Sequence, residues 1–254
     1  MSPLALETRG RVAVLRLSRP EKRNALNTET ILELERFFGS PPEGIGAVVL
    51  AGEGAHFCAG LDLSDLRERP TWDAVLHSRR WHRTFDLIES GPLPVVAALH
   101  GAVIGGGLEL AAAAHLRVAE ESAYYALPEG RRGLFVGGGG SVRLPRLIGA
   151  HRMTDMMLTG RVLDAAEGHA ASLSHYLVGD GEALDKAVEL AGRAAENASV
   201  STFAVLHALP RIAQAAPEQG YLMESLMSAV AAGGEDAQER MRAFLEGRAA
   251  KVTR

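Results

Sequence analysis

Cysteine and lysine are both scarce in this chain of 254 residues. Cys58 is the single cysteine, so the chain cannot form an intrachain disulfide. Lysine supplies three of the 27 basic residues and arginine supplies the rest, against 31 acidic residues, which gives a net charge of −4 at pH 7. A chain with this balance has no general electrostatic attraction for nucleic acid. We therefore expect a partner other than nucleic acid.

Long apolar runs are also missing. The longest, residues 94–114, is interrupted by glycines and by Glu109, and no run reaches the roughly 18 residues that would suggest a membrane span. The first residues carry no basic segment followed by an apolar core, the pattern of a secretory signal. These absences predict a cytoplasmic protein that does not associate with membranes.

Several common catalytic and cofactor motifs are absent too. The glycine clusters form neither G-x-G-x-x-G behind the first predicted strand nor a P-loop ending in G-K-[ST]. The nine histidines never fall into a zinc-binding spacing, and no G-x-S-x-G nucleophile motif is present. The sequence therefore predicts no metal site, and a dinucleotide fold or a serine hydrolase has little support.

The apolar pattern predicts an α/β fold. Short β-rich segments alternate with segments of helical periodicity in the first half, and the second half is mostly helical. The predicted strands are 12–17, 47–50, 94–99 and one at Leu116, and the predicted helices are 28–38, 72–89, 101–114 (after a glycine turn), 150–158, 164–173, 182–197, 200–215, 222–231 and 235–249. Residues 130–141 are predicted to be a glycine-rich loop. This pattern predicts one α/β core with a helical C-terminal extension.

The segment HGAVIGGGLELAAAA places Gly105–Gly107 directly before a helix, with Glu109 in its first turn. Glycines let backbone N–H groups approach a ligand closely, and the start of a helix adds positive potential. The loop HFCAGLDLSDL is a second candidate source of such donors, at Gly60-Leu61. Two amides that converge on one carbonyl oxygen would form an oxyanion hole, worth about 3 to 4 kcal/mol per donor.

A second carboxylate follows in YYALPEGRRGLFVGGGGS, where Glu129 lies between a proline and a run of glycines. A side chain at such a turn is well placed to face a pocket. Two carboxyl groups in different environments can divide the roles of general base and general acid. Glu109 and Glu129 are therefore the candidate catalytic pair.

Six ordered segments together resemble the crotonase superfamily, the enoyl-CoA hydratase/isomerase proteins. They cover nearly the whole chain: RPEKRNALN, GAHFCAGLDL, PVVAALHGAVIGGGLELAAAAHLRVA, ALPEGRRGLFVGGGGSVRLPRLIG, MMLTGRVLDAAEGHAASL and AFLEGR. The resemblance implies a crotonase spiral of ββα turns over residues 1–195 and a C-terminal helical oligomerisation region over 196–254. It further implies a homotrimer or a dimer of trimers. It implies no metal and no redox cofactor, since coenzyme A (CoA) arrives as part of the substrate.

The resemblance also implies an activity, the reversible hydration of a trans-2-enoyl-CoA to a 3-hydroxyacyl-CoA, which makes the protein a lyase. The amides of Leu61 and Gly106 match the family's oxyanion hole for the thioester enolate. Glu109 matches the residue that activates water, and Glu129 matches the residue that protonates Cα.

Contacts with the rest of the substrate are carried over in the same way. The backbone at Ala25 matches the family's adenine contact, and Lys22 or Arg23 would face phosphates. Phe244 resembles a position that closes the pocket from the C-terminal region. The resemblance adds four residues of the two glycine-containing loops to the substrate-binding set: Ala59, Gly60, Asp62 and Gly105.

The sequence departs from the family pattern at several positions. Ser64 and Gly247 occupy positions where many hydratases have lysine, which leaves the phosphate anchor open. Gly137 stands where dienoyl-CoA isomerases have an aspartate, and this argues against that reaction. An enoyl-CoA isomerase, another crotonase-type lyase or a weakly catalytic acyl-CoA-binding scaffold remain the alternatives. Residues 77–83 (HSRRWHR) are expected to be solvent-exposed on a helix, with a role in gating the pocket as the alternative. Cys58 is expected to be a small buried apolar residue.

Overall fold

The computed structural model describes residues 2–65 and 70–248, which divide between Ala195 and Glu196 into two compact units. Among its described residues, the first unit contains nine strands: β1 (Leu4–Arg9), β2 (Val12–Leu17), β3 (Ala47–Gly52), β4 (Val95–Leu99), β5 (Ala102–Ile104), β6 (Leu116–Glu120), β7 (Tyr124–Ala126), β8 (Leu163–Asp164) and β9 (Tyr176–Val178). Its helices are α1 (Thr28–Gly39), α2 (Thr71–Glu89), α3 (Gly106–Ala113), α4 (Gly140–Ile148), α5 (Ala150–Thr159), α6 (Ala165–Ala170) and α7 (Ala183–Ala195).

The second unit is helical. It contains α8 (Ser199–Phe203), a π-helical segment (Ala204–Ala208), α9 (Leu209–Ile212), α10 (Pro217–Ala232) and α11 (Glu235–Leu245). The helix predicted over 200–215 is present as one continuous helical stretch over 199–212, and its middle, Ala204–Ala208, is π-helical. None of the helices within the described ranges has the length and apolar character needed to cross a bilayer.

Two sheets organise the first unit. The larger has the strand order β1-β2-β3-β4-β6-β9, and all neighbours are parallel except β1 and β2. The smaller has the order β5-β7-β8. Strands β2, β3 and β4 are almost fully buried, because apolar clusters pack on both faces of the larger sheet and α7 contributes to one of them. Parallel strands covered on both faces read as continuous apolar runs, as these three do in the sequence.

The chain repeats one pattern as it passes between the sheets. A long strand joins the larger sheet, a short strand joins the smaller one, and a helix follows: β4–β5–α3 and then β6–β7, with α4 after a loop. The turn of the spiral that begins with β3 and ends with α2 has the same plan. Between these two elements, Cys58 takes the place of the short strand and forms a single parallel bridge to Val103 in β5. The α/β class and the spiral of ββα turns are thus confirmed.

The structure corrects the sequence-based expectations in three places. Strands β5, β7, β8 and β9 contain two or three residues each, too few to show a periodicity, and none was predicted. Strand β1 was also missed; it pairs with β2 through a turn at Gly10, which has a φ of +61°. Helix α4 begins at Gly140, inside the predicted loop, and contains Pro145. Glycine and proline have poor helix propensity, so tertiary contacts must favour this helix.

Candidate active site

A cavity of about 270 Å³ opens in the first unit. Its walls come from the loop after Cys58, from α2, from the turn between β5 and α3, and from the segment that follows β7. The lining residues are Ala59, Gly60, Leu61, Leu63, Ala74, His77, Ser78, Trp81, Ile104, Gly105, Gly106, Glu109, Pro128, Glu129, Arg132, Leu134, Phe135, Val136, Gly137 and Gly138. Both candidate catalytic glutamates and both candidate amide donors border this one cavity.

Glu109 lies in the first turn of α3 and is 3% exposed. Its Oε1 accepts hydrogen bonds from the amide nitrogens of Gly138 at 2.8 Å and Gly140 at 2.7 Å. The approach requires glycine, because a Cβ on Gly140 would lie 2.8 Å from Glu109 Oε1. The glycine-rich segment 137–140, which follows Glu129 in the sequence, therefore holds the carboxylate of Glu109. We call this segment the cradle of Glu109.

Burial raises the pKa of Glu109 above its ordinary value, and several groups oppose this effect. They are the amides of Gly140, Gly138 and Gly137 and, more weakly, the charge of Arg143. Hydrogen bonds to a carboxylate favour its charged form. Glu109 is thus a desolvated carboxyl group whose anionic form is held by backbone dipoles rather than by an adjacent cation.

Glu129 has a different environment. It follows Pro128 after the end of β7, and its Oε2 is buried without a hydrogen-bond partner among the described residues. Its Oε1 lies against the backbone at Gly105, where an added Cβ would be 2.5 Å away. Burial raises the pKa of Glu129, and the negative charge of Glu109 raises it further. A hydrogen bond from its own backbone amide and the charge of Arg132 lower it, but burial is the largest effect. A carboxyl group with an unpartnered oxygen favours the protonated form.

The amides of Leu61 and Gly106 meet at the same cavity. Gly60 and Gly105, the residues before them, have φ values of +89° and +53°. Residues other than glycine rarely adopt this left-handed region. A Cβ on Gly106 would lie 3.5 Å from the Leu61 nitrogen, so the two loops are in close contact. Within the described part of the chain, neither amide donates a hydrogen bond to a protein acceptor. Both are available to a ligand atom in the cavity.

Helix α2 forms one wall of the cavity, which agrees with the alternative for residues 77–83 rather than with full solvent exposure. Trp81 is 4% exposed, packs on Phe85 with ring centroids 5.6 Å apart, and would lie 2.9 Å from a Cβ on Gly106. His77 and Ser78 line the cavity with it. The expected solvent exposure of residues 77–83 is therefore wrong for Trp81 and only partly right for the remainder. His77, Trp81 and Phe85 are spaced four residues apart, which places them on one face of a helix, and this spacing could have indicated that the face is covered.

The apolar residues Leu134, Phe135 and Val136 also line the cavity, and they too were not among the predicted site residues. They come soon after Glu129 in the sequence, separated from it by residues 130–133, and this short separation was the signal that could have indicated them. Tyr125 is fully buried and is not part of the lining, so it fills the core.

The other predicted substrate contacts are spread more widely. Ala59, Gly60 and Gly105 line the cavity. Lys22 and Arg23 are exposed on a turn outside it, and Ala25 is buried with its carbonyl oxygen 2.6 Å from Arg19 Nη1. Phe244 is an exposed residue of α11 in the second unit. The structure therefore brings the catalytic and glycine residues together, while the contacts carried over for the CoA portion stay predictions.

Asp62 is buried and supports the loop that carries Leu61. Its carboxylate pairs with Arg19 Nη2 at 2.7 Å and accepts hydrogen bonds from the amide and hydroxyl of Ser64. Burial opposes ionisation of Asp62, but the hydrogen bonds from Ser64 and Arg19 outweigh it and lower the pKa to about 2. Ser64, which replaces a family lysine, thus has a structural partner inside its own loop.

Cys58 is fully buried, and burial raises its pKa to about 12. The thiol is therefore neutral and unreactive at physiological pH, which confirms the expectation of a small buried residue. In the described ranges, no three His, Cys, Asp or Glu residues lie close enough together to hold a metal ion.

Comparison with known proteins gives a consistent result over the whole chain. The family model described as enoyl-CoA hydratase/isomerase matches residues 7–253. Enoyl-CoA hydratase EchA19 of Mycobacterium tuberculosis is 33% identical over 252 residues, which are 96% of this chain and 94% of that protein. A crystal structure from Rhodopseudomonas palustris, of a protein provisionally called an enoyl-CoA hydratase, is 59% identical with a TM-score of 0.96, over 99% of this chain and 97% of that one.

A further similar structure contains a ligand. It comes from Thermobifida fusca, is also provisionally called an enoyl-CoA hydratase, and is in complex with CoA. It is 26% identical to this chain, with a TM-score of 0.83, over 90% of this chain and 92% of that one.

Asp62→Asn tests the support of the Leu61 loop. The folded pKa of about 2 lies below the ordinary value of 3.8, so the ionised carboxylate stabilises the fold above about pH 4, and this contribution is lost as pH falls toward 2. We expect Asp62→Asn to lower the free energy of unfolding at pH 7 by about 2 kcal/mol, since Arg19 loses its charged partner. Urea denaturation between pH 2 and pH 7 measures both effects.

The matched control is Asp73→Asn, which changes an exposed aspartate near the start of α2. It should leave the unfolding curve unchanged. An Asp62→Asn protein that loses stability with falling pH as steeply as the wild type would contradict the assigned role.

Proposed function

Because the chain belongs to the enoyl-CoA hydratase/isomerase family, we propose that it catalyses the reversible hydration of a trans-2-enoyl-CoA to a 3-hydroxyacyl-CoA. The observation that carries this proposal is the meeting of two carboxyl groups at one cavity, the buried Glu109 and the partly buried Glu129, with two amides that are unpaired within the described ranges. The CoA complex of the Thermobifida fusca relative supports a CoA thioester as the substrate. No metal or redox cofactor takes part in the proposed reaction.

Ionised Glu109 acts as the base. It accepts a proton from water while the water oxygen forms a bond to Cβ of the enoyl group. The two amide hydrogen bonds that Glu109 already accepts support this assignment, because they stabilise its charged form. A desolvated carboxylate is also a stronger base than one in water.

Protonated Glu129 acts as the acid and gives its proton to Cα. Electron density moves onto the thioester oxygen before this transfer, and the amides of Leu61 and Gly106 stabilise that oxyanion. Preorganised amide donors of this kind are worth about 3 to 4 kcal/mol each in a transition state. The roles of the two glutamates reverse in dehydration. The burial of an unpartnered Glu129 oxygen supports the acid role.

The two glutamates are tested separately with near-isosteric amides. We expect Glu109→Gln and Glu129→Gln each to lower kcat for hydration of crotonyl-CoA by about 10³-fold, because each removes one proton-transfer group. Loss of the enoyl-thioester absorbance measures the reaction, and longer enoyl-CoAs extend it. Hydration that is unaffected in both variants would rule out this mechanism. Acyl-CoA binding without turnover in the wild type would instead support the scaffold alternative.

The protonation states assigned to the two glutamates predict how the activity of the wild type depends on pH. Glu109 must be ionised and its pKa is raised, so kcat/KM should fall on the acid side at a pH above that of an ordinary glutamate. Glu129 must be protonated and its pKa is also raised, so kcat/KM should fall again at higher pH. The two limbs belong to an interacting pair and report macroscopic values. A flat profile from pH 4 to pH 9 would contradict the assignment.

Gly140→Ala tests the cradle. The added Cβ would meet Glu109 Cγ and Oε1 at 2.8 Å, so the carboxylate must move away from its two amides. We expect kcat to fall about 100-fold with little change in KM, because the interaction supports the chemical step. The control is Gly192→Ala in α7, where no atom lies within 4 Å of the new Cβ. Equal kcat values for the two variants would contradict the cradle.

We further propose that the protein assembles as a homotrimer or a dimer of trimers. The second unit exposes an unusual set of large apolar side chains, and monomers rarely expose so many. They are Phe203, Val205, Leu209, Tyr221, Leu222, Leu226, Val230, Met241, Phe244 and Leu245. Light scattering should give a mass of three or six copies of the 27.0-kDa chain. A monomer mass at micromolar concentration would exclude this assembly.

A further inference from the structure

The cradle of Glu109 is itself held from the opposite side. Ser78 Oγ donates a hydrogen bond of 2.7 Å to the carbonyl oxygen of Gly137. This carbonyl and the N–H of Gly138 belong to one planar trans peptide, in which the two groups point in opposite directions. The Gly138 N–H is one of the two that donate to Glu109. A bond from Ser78 on one side of the peptide therefore fixes the direction of the amide on the other.

The remaining peptides of the cradle have their own anchors. The carbonyl oxygen of Gly138 accepts from Arg143 Nη1 at 3.2 Å, and Arg143 Nε is in turn 2.7 Å from a carboxylate oxygen of Glu89. The carbonyl oxygen of Gly139 accepts from the amides of Val142 and Arg143 in the first turn of α4. The Gly139–Gly140 peptide is thus fixed by α4, whereas the Gly137–Gly138 peptide depends on α2.

Glycines need such anchors more than other residues. A run of four glycines has the largest backbone freedom of any sequence, and each gains no restriction from a side chain. An unanchored peptide could turn its amide away from the carboxylate at little cost. Side chains from α2 and α4 remove that freedom without filling the space beside Glu109.

We propose that Ser78 is a positioning residue for Glu109, whose hydroxyl holds the Gly137–Gly138 peptide with its amide directed at the carboxylate. Ser78 acts through the backbone and exchanges no proton with the substrate. The hydroxyl hydrogen is directed to a carbonyl, which argues against a nucleophilic role even though Ser78 lines the cavity. The inference rests on the proposed role of Glu109 as the base.

Other titratable and charged groups surround this arrangement. His82 Nε2, one turn along α2, lies 3.4 Å from Ser78 Oγ. Glu129 and Arg143 act electrostatically on Glu109, while His77 and Arg132 border the same cavity. Removing the Ser78 hydroxyl changes none of these residues, but it also removes the 3.4 Å contact with His82, which itself hydrogen-bonds the backbone of Gly137. A change in the pH profile then reports on the support that α2 gives to the Gly137–Gly138 peptide.

The test compares Ser78→Ala with Ser78→Thr, which keeps a hydroxyl. We expect Ser78→Ala to lower kcat for crotonyl-CoA hydration about 10-fold with little change in KM. We also expect the acid limb of kcat/KM to move to higher pH, since the amide hydrogen bond that lowers the pKa of Glu109 is weakened. Ser78→Thr should restore both. Ser90→Ala, which removes an exposed hydroxyl at the end of the same helix, should match the wild type.

The outcomes separate the two proposals. If the wild type hydrates crotonyl-CoA and Ser78→Ala matches Ser90→Ala in kcat and in its acid limb, the role of Ser78 is overturned. A wild type without hydratase activity overturns the proposed function instead. If Ser78→Ala does not fold, Ser78→Cys takes its place, because its thiol is a weak donor of similar size. Equal loss in Ser78→Cys and Ser78→Thr would also overturn the proposal.

Discussion

The site depends on one interaction, the pair of hydrogen bonds by which the amides of Gly138 and Gly140 hold the buried carboxylate of Glu109. A buried charge is strongly unfavourable unless donors replace its water. Backbone amides supply these donors without placing a cation beside the base, which would weaken its basicity. The interaction requires glycine where the backbone lies against the Glu109 side chain, and a helix that begins at Gly140. It also requires a contact that holds the glycine segment from its other side, as the hydrogen bond from Ser78 to the Gly137 carbonyl does. Much of the local architecture follows from meeting these three requirements.

The ββα repeat explains how groups from distant parts of the chain meet at one cavity. In three successive turns the functional group comes just after the short second strand or its single bridge. Leu61 follows Cys58, Gly106 follows β5, and Glu129 follows β7. Because β5 and β7 are parallel neighbours and Cys58 bridges β5, their ends lie at the same edge. The smaller sheet, although only three strands wide, therefore sets the geometry of the site.

The two carboxyl groups are chemically equivalent in sequence but not in structure. Burial raises the pKa of both, yet Glu109 receives amide hydrogen bonds, while Oε2 of Glu129 receives none from the part of the chain that the structure describes. This difference supports opposite protonation states in the proposed reaction. The walls around them are largely apolar and include Trp81 and Val136, which keep the effective dielectric constant low and strengthen both effects.

The α/β class, the buried central strands, the glycine turn before α3 and the two candidate glutamates could all be predicted from the amino-acid sequence, because each depends on local periodicity or on residues adjacent in the chain. Which glycines contact which glutamate became visible only in the folded chain. The segment after Glu129 cradles Glu109, and Glu129 instead lies against Gly105. The tertiary structure also placed Trp81 and Ser78 of α2 at the cavity and showed that Asp62 pairs with Arg19. Such contacts join residues 24 to 59 positions apart, and no local pattern encodes the strand order that brings them together.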